Sequence, residues 1–372
     1  MQTDRKPSGR GKAVLAIDWW PGTLPEGTVV SPRTIIAHDG EVSRATLYSR
    51  GTPTSVFCLM HPRQDLQRHP LIPLLVEAGH AVWAHASRVV GNDLTLIHEH
   101  VLLDVAAGME TLREEGFETI TLVGISGGAG LYSFYSEQAL GERIGRLPSG
   151  APSGLADAPM PAPDALTLIA PHPGQGRLLL AMIDPLAEGL DAYDPSNGFS
   201  EDGSSFAAEW LERYRRAQRA RVQSIDDHAR ELLEARGAAV IETWQTDADP
   251  RCTDLSLDAN DRRMGSVIHP KPWLSNRGLG GFGRLTTPEA WLSTWSGISS
   301  NASVERCLAS VTVPTKIIEY TGDQSVFPSD IAAALAASPD ASHVQIRASH
   351  FGRRLSREDE DPLPLTLEAL LA

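Results

Sequence analysis

An α/β architecture, with a mostly parallel sheet covered by helices on both faces and an inserted, mainly helical segment, is the fold class this sequence predicts. Three observations carry it. Apolar runs of strand length alternate with stretches of helix length over residues 55–170. The alternation stops between about Gly174 and Ser310, and it returns from Thr315 onward. Strands separated by helices must run parallel, because each helix carries the chain back across a face of the sheet.

The elements follow in order. Residues 33–38 and 42–48 flank Asp39-Gly40, a dipeptide suited to the positive φ angles of a tight hairpin turn. Residues 55–60 and 81–86 read as buried strands, with a helix over 71–78 between them. A long helix is expected over 94–115, with Ile97, Val101, Val105 and Leu112 on one face. A strand at 119–123 and a helix at 129–140 come next. The Pro-, Gly-, Ser- and Ala-rich stretch 147–163 is a surface loop, and 166–170 is the next strand. In the interruption, residues 204–236 have helical periodicity, and Trp210, Trp244, Trp273, Trp291 and Trp295 fall within it. Strands at 315–320 and 344–347, with a helix at 331–337, complete the pattern. The expected division is a core of residues 1–174 and 311–372, with 175–310 inserted as a cap.

Composition narrows the function classes. Of 372 residues, 41% are hydrophobic, enough for a substantial core, and the formal charge is −14. A surface of that sign repels polyanions, so nucleic acid is not an expected partner. Cys58, Cys252 and Cys307 are odd in number and far apart, with no Cys-x-x-Cys pair. Neither a zinc site nor a disulfide framework is indicated. The first twelve residues are charged rather than apolar, and no run reaches the length of a membrane span. The expectation is a cytoplasmic protein without membrane partners, and self-assembly is left open.

The sharpest motif is Gly124-Ile125-Ser126-Gly127-Gly128, directly after the 119–123 strand and before a helix. A serine between glycines on a tight strand-to-helix turn is thrust out above the sheet, over a helix N-terminus that favours negative charge. Two rival glycine patterns are weaker. Gly124, Gly128 and Gly130 also fit a dinucleotide loop, but several strands precede them and no Tyr-x-x-x-Lys follows. Gly278, Gly280 and Gly283 fit G-x-G-x-x-G with no strand leading in, so they read as a cap loop.

Two further residues leave the same edge of the sheet. Asp323 lies just past the 315–320 strand, and His350, 27 residues later, lies just past 344–347. The order Ser126, Asp323, His350 on this strand–helix frame resembles the α/β-hydrolase superfamily over residues 33–174 and 311–372. That resemblance implies a serine hydrolase without metal or organic cofactor. Ser126 is then the nucleophile, His350 the base and Asp323 the acid that orients it. It also implies two backbone donors for the oxyanion. One is the N–H of Gly127. The other belongs to the loop after the first parallel strand, His61-Pro62-Arg63-Gln64, where Pro62 replaces the family's glycine and has no N–H, which leaves Arg63. Asp330 sits inside the following helix and ranks below Asp323. His343 precedes its strand, at the wrong end. His98-Glu99-His100 spaces its histidines i, i+2, on different helix faces, and is expected to be a solvated patch.

The inserted segment bears on substrate. Phe206, Trp210, Tyr214, Ala217, Arg221 and Ile225 recur at helical spacing and read as a packing face. Arg213, Arg215, Arg216, Arg219 and Arg221 read as solvated ion-pair partners. Trp291 and Trp295 are expected to roof an apolar pocket, with His61 and His172 lining it. The expected activity is hydrolysis of an ester or lactone bond in a small to medium apolar molecule. A carbon–carbon bond hydrolase of the meta-cleavage type is the alternative enzyme, and a ligand-binding protein of this fold is the alternative outside enzymes.

Overall fold

The computed structural model describes residues 23–235, 238–278 and 280–372. The charged N-terminal stretch, Arg236 of the expected 204–236 segment and Leu279 of the expected cap loop lie outside the described residues.

Eight strands form one sheet in the order β1-β2-β4-β3-β5-β6-β9-β10. They are β1 (Val29–Ile36), β2 (Val42–Ser49), β3 (Ser55–His61), β4 (Ala81–Ala86), β5 (Thr119–Ile125), β6 (Ala165–Ile169), β9 (Thr315–Tyr320) and β10 (Ser342–Ile346). The first two pair antiparallel, as does β2 with β4, and the rest are parallel. The remaining strands, β7 (Ile241–Glu242) and β8 (Leu285–Thr286), form a separate two-residue ladder.

Helices cover both faces of the large sheet. Neighbouring residues of a strand point to opposite faces. Met60, Trp83 and Leu122 therefore join the cluster beneath α2 (His98–Glu114) and α3 (Gly127–Leu140), whereas Leu59, Val82 and Val123 join the cluster beneath α1 (Leu71–Glu77) and α10 (Pro362–Leu371). This two-sided burial is why the central strands read as unbroken apolar runs rather than as alternation.

Between β6 and β9 the chain leaves the sheet and builds α4 (Gln175–Met182), α5 (Ala208–Glu234), α6 (Pro272–Ser275), α7 (Pro288–Ala290) and α8 (Val304–Leu308). After β9 comes α9 (Pro328–Ala337). The expected 204–236 helix begins only at Ala208, yet Phe206 still stacks on Trp210, and Trp210 on Tyr214, with centroids 4.8 and 4.7 Å apart. The arginines of α5 divide. Arg216 makes only an exposed pair with Glu212, whereas Arg215 reaches buried Asp249 at 2.7 Å and Arg221 donates to the carbonyls of Asp184 and Trp244. The latter two hold α5 to the rest of the insertion rather than facing water.

The expected solvated patch at His98-Glu99-His100 is corrected. A short turn at Asp93–Thr95, capped by Asn92, precedes α2, and His98 and Glu99 are both buried where it begins. A π-helical turn, Trp291–Trp295, lies over them. Ser293 Oγ accepts the His98 N–H at 2.9 Å and donates to Glu99 at 2.5 Å, and Asn301 donates to the second Glu99 oxygen at 3.0 Å. Tertiary partners, which helical spacing does not reveal, make the burial of the Glu99 carboxyl tolerable, whereas the His98 ring nitrogens are buried without a hydrogen-bond partner among the described residues.

Candidate active site

The site is assembled at the C-terminal ends of β3, β5, β6, β9 and β10. Ser126 stands between β5 and α3 with φ 55° and ψ −119°, in a region that a non-glycine residue enters only when its surroundings enforce it. Two constraints are visible. The Ser126 N–H donates to Ile169 O at 2.9 Å, and α3 packs so closely that a β-carbon on Gly128 would lie 2.4 Å from Met60 O. Gly124 is equally confined, its β-carbon position lying 2.7 Å from Ala129 Cα. The glycines around the serine thus allow close approach of helix to sheet.

From Ser126 a hydrogen-bonded chain runs inward. Ser126 Oγ and His350 Nε2 are 2.8 Å apart, and His350 Nδ1 and Asp323 Oδ2 are 2.7 Å apart. The other Asp323 oxygen accepts the N–H groups of Ser325 at 2.6 Å and Val326 at 2.9 Å, and Asp323 is 1% exposed. A carboxylate saturated in this way has one orientation. The structure therefore brings Ser126, His350 and Asp323 together. It leaves Asp330 at the N-terminus of α9, where it accepts the Phe327 N–H at 3.0 Å, and His343 on Glu319 at the far end of β10.

The loop after β3 differs from expectation. The N–H groups of Arg63 and Gln64 both donate to the ring Nδ1 of His61, at 3.0 and 3.1 Å. Arg63 N–H is therefore committed to its own loop and is not free for an oxyanion, which corrects the expectation. The Arg63 guanidinium binds Asp93 through two hydrogen bonds of 2.6 and 2.5 Å and lies over the rings of Phe282 and Trp295. Gly127, the first residue of α3, presents one of the unpaired N–H groups that every helix start carries.

Two cavities meet at Ser126. The larger, about 700 Å³, is lined by His61, His172, Gln175, Ile268, Phe282 and Arg284 among others. The smaller, about 220 Å³, shares His61, Ser126 and His350 and has an apolar wall of Leu66, Leu71, Ile125, Ile169 and Leu363. His61 and His172 line the larger cavity as expected. Trp291 and Trp295 do not, and this corrects the expected roof. Both are fully buried, Trp291 donating to Asp226 at 2.7 Å and Trp295 lying beneath Phe282 and Arg63. Phe282 and Arg284, from the glycine-rich stretch read only as a loop, take the wall position. Gln175 was not foreseen, although its place three residues after His172 at a strand's end is a usable signal.

Burial keeps the surrounding imidazoles neutral. His61 is held well below its ordinary value by burial and then by the Arg63 guanidinium. Burial is also the main cause for His172, lowered to about 3, and for His98, lowered to about 4.

No family model matches the sequence, and no curated protein matches it. Solved structures do. DcsB, in complex with its substrate analogue, superposes with a TM-score of 0.54 at 11% identity, covering 92% of this chain and 98% of its own. The α/β hydrolase GrgF from Penicillium sp. sh18 gives 0.51 at 11% identity, with 92% and 98% covered. The hypothetical protein PA2218 from Pseudomonas aeruginosa gives 0.51 at 13% identity, with 97% and 98% covered. The chain has the α/β-hydrolase fold.

Proposed function

We propose that the protein is a serine hydrolase that cleaves an ester or lactone bond through an acyl-enzyme on Ser126. The observation that carries this reading is the continuous hydrogen-bonded chain Ser126–His350–Asp323 at the meeting point of two cavities. A serine hydroxyl becomes an effective nucleophile only when a positioned base takes its proton. His350 Nε2 is that base. As Oγ bonds to the carbonyl carbon, the C=O pair moves onto oxygen, beside the Gly127 N–H. On collapse, the proton on His350 passes to the leaving oxygen. Water then enters by the same route, and the acid is released. Asp323 holds the tautomer with its proton on Nδ1 and stabilises the imidazolium between the two transfers.

The cavities suggest how a substrate divides. The apolar recess suits a short hydrocarbon chain or ring, and the larger, mixed cavity suits a bulkier group bearing oxygen functions. Residues 175–310 act as a cap in this reading, since Ile268, Phe282 and Arg284 wall the larger cavity.

The test is a panel of p-nitrophenyl esters of rising acyl length, bulky lactones and diketones, with product identification, on wild type and Ser126→Ala. A fluorophosphonate should label Ser126. Turnover of esters or lactones that vanishes in Ser126→Ala is the expected result. Labelling at a serine other than Ser126, or cleavage of the diketones alone, would sink it.

A further inference from the structure

In the loop after β3, Arg63, the expected second backbone donor, is not free, and its neighbours do not replace it. Pro62 has no N–H, and the N–H groups of Arg63 and Gln64 are held by His61 Nδ1. A tetrahedral oxyanion bound by Gly127 alone would lack one of its two usual donors. The same contacts determine what His61 can offer. A ring nitrogen that accepts two N–H groups carries no proton, so the proton of the neutral ring is on Nε2. His172 is fixed in the same sense, its Nδ1 accepting the Gly174 N–H at 3.3 Å.

These Nε2–H groups converge beside the nucleophile. A β-carbon placed on Gly127 would lie 2.6 Å from His61 Nε2, 2.9 Å from His172 Nε2 and 2.5 Å from Gln175 Nε2. Both polar atoms of the Gln175 carboxamide are buried and without a hydrogen-bond partner. An unmatched buried amide is costly, so it is most readily kept where a ligand supplies the missing partner. Three donor nitrogens gathered over the Gly127 Cα, on the wall of the cavity that Ser126 also lines, suit an oxygen that gains negative charge there. A side chain at position 127 would collide with all three nitrogens, and the residue there is glycine.

We propose that His61 Nε2–H is the second oxyanion donor, with His172 and Gln175 completing a side-chain cradle opposite the Gly127 N–H. This rests on the serine-hydrolase reading above. Burial supports the assignment by keeping both rings neutral, so that Nδ1 remains an acceptor and the single ring proton stays on Nε2.

The experiment compares wild type with His61→Asn, His61→Gln and Ser126→Ala, by steady-state hydrolysis of p-nitrophenyl butyrate and by the rate of fluorophosphonate labelling of Ser126. The phosphoryl oxygen of the label occupies the same hole, so the two rates should move together. Asparagine keeps an acceptor near the position of Nδ1 and preserves the loop, but does not reach the oxyanion. Glutamine places an N–H near the position of Nε2. His61→Asn should lower kcat roughly 10²–10³-fold, with KM nearly unchanged, and His61→Gln should recover at least about tenfold of that loss. If both variants stay within about threefold of wild type, below the effect of an oxyanion donor, while Ser126→Ala is inactive, the proposal fails and the hydrolase reading stands. If His61→Gln loses more than His61→Asn, the ring only supports its loop, and the proposal is again overturned. Should His61→Asn fail to give a wild-type thermal melt, a well-folded His61→Gln decides alone. Retention within about tenfold supports the donor, and loss of about 10²-fold or more overturns it. Activity that survives in Ser126→Ala removes the underlying reading itself.

Discussion

Asp323→Asn is the substitution whose consequence the geometry dictates most directly. One carboxylate oxygen accepts the Ser325 and Val326 N–H groups at 2.6 and 2.9 Å, and the other faces His350 Nδ1 at 2.7 Å. An asparagine must keep its carbonyl oxygen toward the two backbone donors, because turning it would leave both unpaired and set N–H against N–H. Its NH₂ group then faces Nδ1, which has to present a lone pair. The His350 proton moves to Nε2, toward Ser126 Oγ, where the nucleophile needs an acceptor. The count of hydrogen bonds is unchanged, so the fold should melt near the wild-type temperature. Catalysis should fall by about 10⁴ in kcat, which at ~1.36 kcal/mol per decade is ~5.4 kcal/mol of lost transition-state stabilisation. Initial rates on an activated ester at neutral pH, with a parallel thermal melt, measure both. A loss under about tenfold, or a larger loss in Asp330→Asn, would refute the assignment of the acid.

Three further outcomes follow from packing and charge. Gly128→Ala forces a methyl group against Met60 O, 2.4 Å from its ideal position, and should destabilise the elbow by ~1–3 kcal/mol in denaturant titration; an unchanged midpoint would mean that the helix is not tightly seated. Trp291→Ala should cost ~3–5 kcal/mol and reduce turnover of small and bulky esters alike, since the ring is buried on Asp226 away from the cavity wall. A change in selectivity without loss of stability would return Trp291 to the wall. Burial lowers His69, His85 and His172 to about 3 and His98 to about 4, from 6.5. The unfolded chain therefore takes up protons first as pH falls. Stability should be complete above about pH 6.5 and lost progressively below it, by up to about 2 kcal/mol per histidine at pH 5. Thermal melts from pH 7.5 to 5 check this, and a flat profile would contradict the burial of these rings.

What the sequence determined was order along the chain. Strand-length apolar runs alternating with helical stretches were sufficient for the parallel sheet, because two-sided burial demands that composition. Gly124, Ser126 and Gly128 marked a tight turn, since close helix–sheet approach excludes side chains at the flanking positions. Asp323 and His350 were legible because each follows a strand at the edge where ligands bind in such sheets. Tertiary structure decided which partner each group meets, whether near or distant in sequence. Trp291 and Trp295 carry the apolarity of a pocket roof, but Asp226, 65 residues earlier than Trp291, draws that indole into the interior. His98 and Glu99 look solvated by helical spacing, yet Ser293 and Asn301 reach them from 194 to 202 residues away. Arg63 looks like a backbone donor by position, and its N–H is instead turned onto the ring of His61. Periodicity reports which face of an element is apolar. It does not report what packs against that element or which polar group arrives to pair with it, and those contacts settle which groups are buried and which are free.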